Sequence, residues 1–225
     1  MTIAQRLAQV RERIEKAAVA TGRSSSDLTL VAVSKTFDAA AVIEAAAAGA
    51  TDFGENKAQE LKRKASMVEV DVRWHFVGRL QTNKVKDVIG CELIHSVDSA
   101  RLAEAIARRA AGGRQRVLVE VNVAGDESKA GIDAEQALDL ARRVAELEGL
   151  VLAGLMTMPP YPQDPEESRP PYKKLAALGK QLVREFPQAT ELSMGMTRDL
   201  EVAVEEGATL VRVGEAIFGP RPRSA

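Results

Sequence analysis

A closed (β/α)8 barrel of parallel strands with an extra N-terminal helix is the fold this sequence predicts, and three observations predict it. Short, near-continuous apolar runs alternate with segments of helical period, and about eight such strand–helix units follow one another. The runs are apolar on both faces, as strands of a parallel sheet covered by helices must be. The length, 225 residues, is close to the lower size of such barrels, roughly 200 residues. A doubly wound open sheet shares the first two features and is the alternative. No linker divides the chain, so residues 1–225 are expected to form a single domain.

The elements follow in order. Ile3, Leu7, Val10 and Ile14 recur at helical steps and draw one apolar stripe, with Arg6, Arg11, Glu12, Arg13 and Glu15 on the other faces. Residues 30–33 are a first strand, and the Ala-rich stretch 39–48 is a helix with Gly49 where a C-cap belongs. A short strand at 52–54 precedes a helix that carries the triplet Lys62, Arg63, Lys64, read as a solvated face. Residues 74–78 are a strand before a polar helix, 91–94 a strand before helix 102–111, and 117–123 a strand before helix 134–147. Strands at 151–156, 191–194 and 210–213 complete the set. Residues 158–171 hold six prolines and predict a loop over the barrel mouth. The stretches Ala48 to Glu55 and Glu206 to Glu215 echo each other as helix, Gly, Ala, Thr, strand, Gly-Glu.

Composition excludes several classes of function. Lys plus Arg number 31 against 32 for Asp plus Glu, so no basic excess drives nucleic-acid or membrane-surface binding. One cysteine, Cys91, and two histidines, His75 and His95, permit neither an internal disulfide nor the usual Cys/His zinc spacings. Charges early in the N-terminus argue against a signal peptide, and the most apolar helical run, 39–50, is short and carries Glu44. A cytoplasmic protein, without nucleic-acid or membrane partners, is expected.

Functional groups in such a barrel sit where strands end and βα loops begin. Lys35 follows the first apolar run, where partial burial can favour its neutral, nucleophilic form. At the other end of the chain, Gly195 and Thr197 follow the seventh predicted barrel strand and Gly214 and Glu215 the eighth. Loops after those strands commonly bind phosphate, because free backbone N–H groups face the anion there. A lysine amine beside a phosphate cradle suits an aldehyde that carries a phosphate, and pyridoxal 5'-phosphate is one. A phosphosugar enzyme that uses the Lys35 amine on its substrate remains open from these residues. Glu120 and Asn122 share one strand face and are expected to line the cavity; His75 either lines the barrel or is a satisfied core histidine, and Cys91 is a small core hydrophobe.

Ordered motifs run almost from end to end: Val31-Ala32-Val33-Ser34-Lys35-Thr36, Phe53-Gly54-Glu55-Asn56, His75-Phe76-Val77-Gly78-Arg79-Leu80-Gln81-Thr82-Asn83-Lys84, Ile94-His95-Ser96-Val97-Asp98, Gly154-Leu155-Met156-Thr157-Met158, Leu192-Ser193-Met194-Gly195-Met196-Thr197-Arg198-Asp199 and Val211-Arg212-Val213-Gly214-Glu215-Ala216-Ile217-Phe218-Gly219. Through them the chain resembles the pyridoxal-phosphate homeostasis family, the proline synthase co-transcribed homologues, whose barrel resembles the N-terminal domain of alanine racemase. The resemblance implies that Lys35 holds pyridoxal 5'-phosphate as a Schiff base, and that Thr197 with the Gly214 and Glu215 backbone binds its phosphate. It also places Met194 at the site and puts the Arg212 guanidinium at the pyridine nitrogen; Asn56, just past the second strand, is read either as a contact to the ring or its hydroxyl or as the N-cap of the next helix. Arginine cannot accept a proton, so it would leave that nitrogen unprotonated. Thr197 stands where the family usually has serine and keeps the hydroxyl; Glu215 stands where many members have threonine, so only its backbone is assigned. The implied role is storage, buffering or delivery of the cofactor, with apo-enzymes as recipients and a monomer or weak dimer as the state. The alternative is an amino-acid racemase or decarboxylase of the same superfamily. The chain ends at Ala225, without the further domain that brings a second proton donor to the racemases, and its own tyrosines, Tyr161 and Tyr172, fall in or beside the Pro-rich loop. Robust turnover is therefore not expected.

Overall fold

The computed structural model describes residues 1–110, 112–125 and 130–220. Helix α1 (Ile3–Ala20) opens the chain, started by a capping box in which Thr2 and Gln5 satisfy each other's backbone N–H groups. Its stripe of Leu7, Val10, Ile14, Ala17 and Ala18 is buried. The strands and helices then run β1 (Thr29–Val33), α2 (Ala39–Ala47), β2 (Asp52–Glu55), α3 (Ala58–Ala65), β3 (Arg73–Phe76), β4 (Leu93–Val97), α4 (Ala100–Arg109), β5 (Gln115–Asn122), β6 (Ile132–Asp133), α5 (Ala137–Glu146), β7 (Leu150–Met156), α6 (Arg169–Glu185), β8 (Glu191–Ser193), α7 (Leu200–Glu205), β9 (Leu210–Val213) and α8 (Glu215–Phe218).

All strand pairings are parallel, and β1, β2, β3, β4, β5, β7, β8 and β9 form the wall of a closed barrel. The ring closes where the first strand meets the last, with Thr29 opposite Leu210 and Val31 opposite Arg212. The short β6 is an addition outside the ring, paired to the end of β5. The predicted (β/α)8 barrel is thus the observed one, and the open sheet is excluded.

Two local expectations are corrected. The polar segment after β3 is a 3-10 helix, Thr82–Asp87, not an α-helix. The Pro-rich loop is shorter than predicted: α6 begins at Arg169 with Pro170 and Pro171 in its first turn, where a missing N–H costs no helical bond. Helix α4 ends at Arg109, and the predicted end at Ala111 lies outside the described residues. The echoed stretches are two αβ loops of the same design, with Gly49 at φ 92° and Gly207 at φ 98°, a region L side chains avoid.

Alternation along the strands sorts side chains into two sets. Ala32, Phe53, Phe76, Ile94, Val117, Val119 and Val211 join the core between the sheet and its helices. Val31, Leu93, Leu118, Ala153, Met156 and Leu210 fill the barrel interior. Interior polar residues are also buried: Asp52, His75, His95, Glu120, Ser193 and Arg212. Among the described residues no helix is long and apolar enough to cross a membrane.

Candidate functional site

Lys35 leaves β1 half-buried, in a turn whose next residue, Thr36, has φ 72°. That is the one non-glycine positive φ among the described residues, a strain of about 1–2 kcal/mol. The turn is held from beneath. Lys64 Nζ donates to the Ser34 carbonyl at 2.7 Å and to Glu55 Oε1 at 2.5 Å, and pairs with Glu60 at 3.0 Å. Ser34 Oγ donates to the same Glu55 oxygen at 2.7 Å, and the Thr36 N–H donates to Glu60 Oε1 at 3.0 Å. Glu55 and Lys64 are wholly buried. Burial raises the Glu55 carboxyl above its ordinary range against the pull of Lys64 and Ser34, and Glu55 Oε2 has no hydrogen-bond partner. The reading of Lys62, Arg63 and Lys64 as one solvated face is therefore wrong at Lys64. An i to i+4 pair with Glu60 and the neighbouring buried carboxylate draw the amine inward.

The loop between β8 and α7 is fixed on two sides. Asp199, fully buried, accepts from the Met196 N–H at 2.7 Å, Ser168 Oγ at 2.7 Å and the Tyr172 hydroxyl at 2.8 Å. From α1, Arg13 grips Glu201 with two N–H groups and donates to the Thr197 carbonyl at 2.9 Å. Thr197 Oγ1 accepts a long bond of 3.4 Å from the Ala216 N–H in the first turn of α8. So the hydroxyl and the α8 amides share one corner. Gly195 has φ 92°, and a Cβ on it would meet Ala203 at 2.5 Å; a Cβ on Gly214 would lie 3.0 Å from the Val33 carbonyl. The backbone of β9 thus passes close against the end of β1, two residues before Lys35.

Arg212 points into the barrel beside this corner. Its Nη1 donates to Ser193 Oγ at 2.6 Å and its Nη2 to the Thr157 carbonyl at 2.9 Å. Both acceptors are neutral, so the buried guanidinium has no carboxylate in hydrogen-bond contact among the described residues. Behind Ser193 lies a row of polar groups: His95 Nδ1 at 2.8 Å from Ser193 Oγ, His75 Nδ1 at 3.0 Å from His95 Nε2, and Asp52 Oδ1 at 2.9 Å from His75 Nε2. Burial, with His75 and Arg212 nearby, holds His95 well below the usual histidine range. Burial opposes ionisation of Asp52, but hydrogen bonds from His75, Arg73 and Thr51 outweigh it and hold the carboxyl below its ordinary value. Glu120, 3% exposed, is pushed up to about 7 by burial, against the attraction of Arg212.

Of the residues singled out from sequence, Lys35, Thr197, Gly214 and Arg212 converge on the carboxyl end of the barrel. Asn56 is half-buried just after β2, and Lys57, not Asn56, stands at the N-cap position of α3, without a side-chain capping bond. Met194 is fully buried in the core between sheet and helices, so its side chain does not enter the site and only its backbone borders it. The Glu215 side chain is exposed in the first turn of α8, as suits a carboxylate near a helix N-terminus. Glu120 faces the interior as expected. Tyr172 is not a loop residue: it belongs to α6, is fully buried and donates to Asp199. Tyr161 is 54% exposed, with the Arg198 guanidinium 4.7 Å from its ring centre. Sequence reasoning missed Asp52, Ser193 and Asp199, and gave His95 no role; each was a polar residue inside or beside an apolar run, the signal that did single out Glu120. A cleft lined by Arg73, Trp74, Cys91 and Arg116 opens at the opposite, amino end of the strands and touches none of these groups.

The chain is similar to known proteins over nearly its full length. Residues 5–222 match the family described as alanine racemase, N-terminal domain. The pyridoxal phosphate homeostasis protein of Aquifex aeolicus is 45% identical, over 98% of this chain and 99% of that protein. The protein of the same name from Pseudomonas aeruginosa is 41% identical, over 100% of this chain and 98% of its own. The structure of PipY from Synechococcus elongatus, solved with PLP bound, superposes with a TM-score of 0.83 at 34% identity, covering 97% of this chain and 100% of that one. With its barrel closed in the same way, this chain belongs to the alanine racemase N-terminal domain family and, within it, to the pyridoxal phosphate homeostasis proteins.

Proposed function

We propose that this chain binds pyridoxal 5'-phosphate through the Lys35 amine and serves the homeostasis of that cofactor, storing it, buffering it or handing it to apo-enzymes. One observation carries the reading: a strained, clamped turn presents Lys35 next to a stretch of the wall where the Gly214 backbone packs tightly on the Val33 carbonyl and where, among the described residues, the buried Arg212 has only neutral hydrogen-bond acceptors. When bound, the cofactor supplies an aldehyde for a lysine amine and an electron-withdrawing ring. The residues fit it. Thr197 Oγ1 and the backbone of Gly214 and Glu215 offer a phosphate site, with Arg13 and Asp199 holding the loop that carries Thr197. Asn56 and the Met194 backbone border the ring. Arg212, a donor at every nitrogen, favours a ring nitrogen that accepts. The likeness to PipY, solved with PLP, supports the same reading.

A racemase or decarboxylase reading finds less support. Racemisation by two bases needs a second proton donor, and Tyr172 already donates to Asp199 in the core. A cytoplasmic monomer or weak dimer suits the single cysteine and balanced charge.

Borohydride reduction of the yellow, cofactor-loaded protein, followed by peptide mapping, tests the assignment. The pyridoxyl group is expected on Lys35. Labelling mainly on Lys57 or Lys84 would overturn the site, and a protein that takes up no cofactor at all would return the phosphosugar alternative.

A further inference from the structure

Arg212 is a buried cation whose hydrogen-bonded neighbours are neutral, yet the row behind Ser193 ends in a carboxylate. The direction of each bond in that row follows from donor and acceptor chemistry. A guanidinium nitrogen only donates, so Ser193 Oγ accepts from Arg212 and its own proton must go elsewhere. His95 Nδ1, 2.8 Å away, is its acceptor, which requires that nitrogen to be bare. His95 is buried, has no carboxylate on either ring nitrogen and is therefore neutral, so its proton is on Nε2. That Nε2–H faces His75 Nδ1 at 3.0 Å, and two donors cannot face each other, so His75 Nδ1 is bare as well. The His75 proton is then on Nε2 and donates to Asp52 Oδ1. Asp52 is anchored by Arg73 at the amino end of the barrel, with 2.7 and 2.6 Å bonds.

We propose, resting on the cofactor reading above, that Asp52, His75, His95 and Ser193 are positioning residues for Arg212: a hydrogen-bond relay of fixed direction across the barrel interior that orients the guanidinium as a donor to the ligand. Every bond dipole in the row points the same way, with the cation at the donating end and the anion at the accepting end. Such a chain is mutually polarised. It spreads compensation for the Arg212 charge over the interior without placing a carboxylate against it. A direct carboxylate partner would occupy the guanidinium's donors; the relay uses one N–H and the Thr157 carbonyl a second, leaving the remaining donors for a ligand.

The chain has only two histidines, so a long-range 1H–15N correlation spectrum of the ligand-free protein shows just the two rings in question. At pH 7 both are expected in the neutral Nε2–H form. A cationic ring at either position, or an Nδ1–H form at His95, would overturn the relay. In Ser193→Ala the His95 Nδ1 resonance is expected to move, and the dissociation constant for pyridoxal 5'-phosphate to rise about 10-fold, the effect of one lost charge-assisted bond. Ser193→Thr should restore both. A folded Ser193→Ala protein with an unmoved His95 signal and unchanged affinity would also overturn it. If wild-type protein takes up no cofactor, the functional reading fails, while the ring spectra still decide the relay.

Discussion

Lys64 Nζ lies 2.5 Å from Glu55 Oε1, and neither side chain has any contact with solvent. Removing one member of a buried ion pair leaves the other uncompensated, at a cost of about 3–5 kcal/mol. Lys64→Met should therefore lower unfolding free energy by about that much in urea titrations, and Lys64→Met with Glu55→Gln should recover most of the loss. Because Lys64 also holds the Ser34 carbonyl, the single variant should loosen the turn at Lys35 and weaken cofactor uptake. A loss under about 1 kcal/mol, the level of an exposed pair, would contradict the role given to Lys64.

Glu120 should make stability depend on pH near neutrality. Its carboxyl titrates at about 7 in the folded chain and at an ordinary value of 4.5 when unfolded. Between those values the native state binds the extra proton, so stability falls as pH rises from 4.5 to 7. Glu120→Gln should flatten that slope and stabilise the protein at pH 8 by on the order of 2 kcal/mol, while changing little at pH 4. Thermal unfolding across that range measures it, and parallel curves for the two proteins would refute the assignment.

Thr197→Ala should separate two ligands. On the proposed reading the hydroxyl binds the phosphate, and a charge-assisted hydrogen bond contributes roughly 1.5–3 kcal/mol. Affinity for pyridoxal 5'-phosphate should drop by about 10-fold or more, with that for unphosphorylated pyridoxal nearly unchanged. Equal losses for both ligands, measured by titration of absorbance, would place Thr197 elsewhere.

Amino acids should not be turned over. With Tyr172 tied to Asp199 and Tyr161 against Arg198 at the surface, no tyrosine among the described residues is set to protonate a second face. Loaded protein incubated with L-amino acids in deuterated water should show neither multiple α-proton exchanges nor carbon dioxide release. Multiple turnovers that vanish in Lys35→Ala would establish a catalyst.

Strand order and the place of Lys35 were legible because they depend on local signals: an apolar run of four, then a polar residue where the run stops. That the Thr197 loop and the first turn of α8 adjoin was legible for a similar reason, two glycines each just past an apolar strand. Arg212 stood out only through the family motif. The relay was not legible, since it depends on register: Ser193 and His95 are 98 positions apart, and only barrel closure brings them together. Lys64 was misread because a run of three basic residues does not show which one faces a buried Glu55. Met194 was placed at the site as part of a motif, but alternation turns its side chain to the other face of the wall.

The meeting of β1 with β9 has a consequence for the order of events in synthesis. Lys35 directly follows the first strand to be made, whereas Thr197, Arg212 and Gly214 belong to the last quarter of the chain, and pairing such distant segments is the slow, late step in forming a fold. On the cofactor reading proposed above, a nascent chain that has emerged only through β7 carries the amine but lacks Thr197 and Gly214 for the phosphate and Arg212 for the ring. Uptake is then expected only after β9 has closed the barrel, and the row from Asp52 to Arg212, which spans β2, β3, β4, β8 and β9, comes into being in the same event.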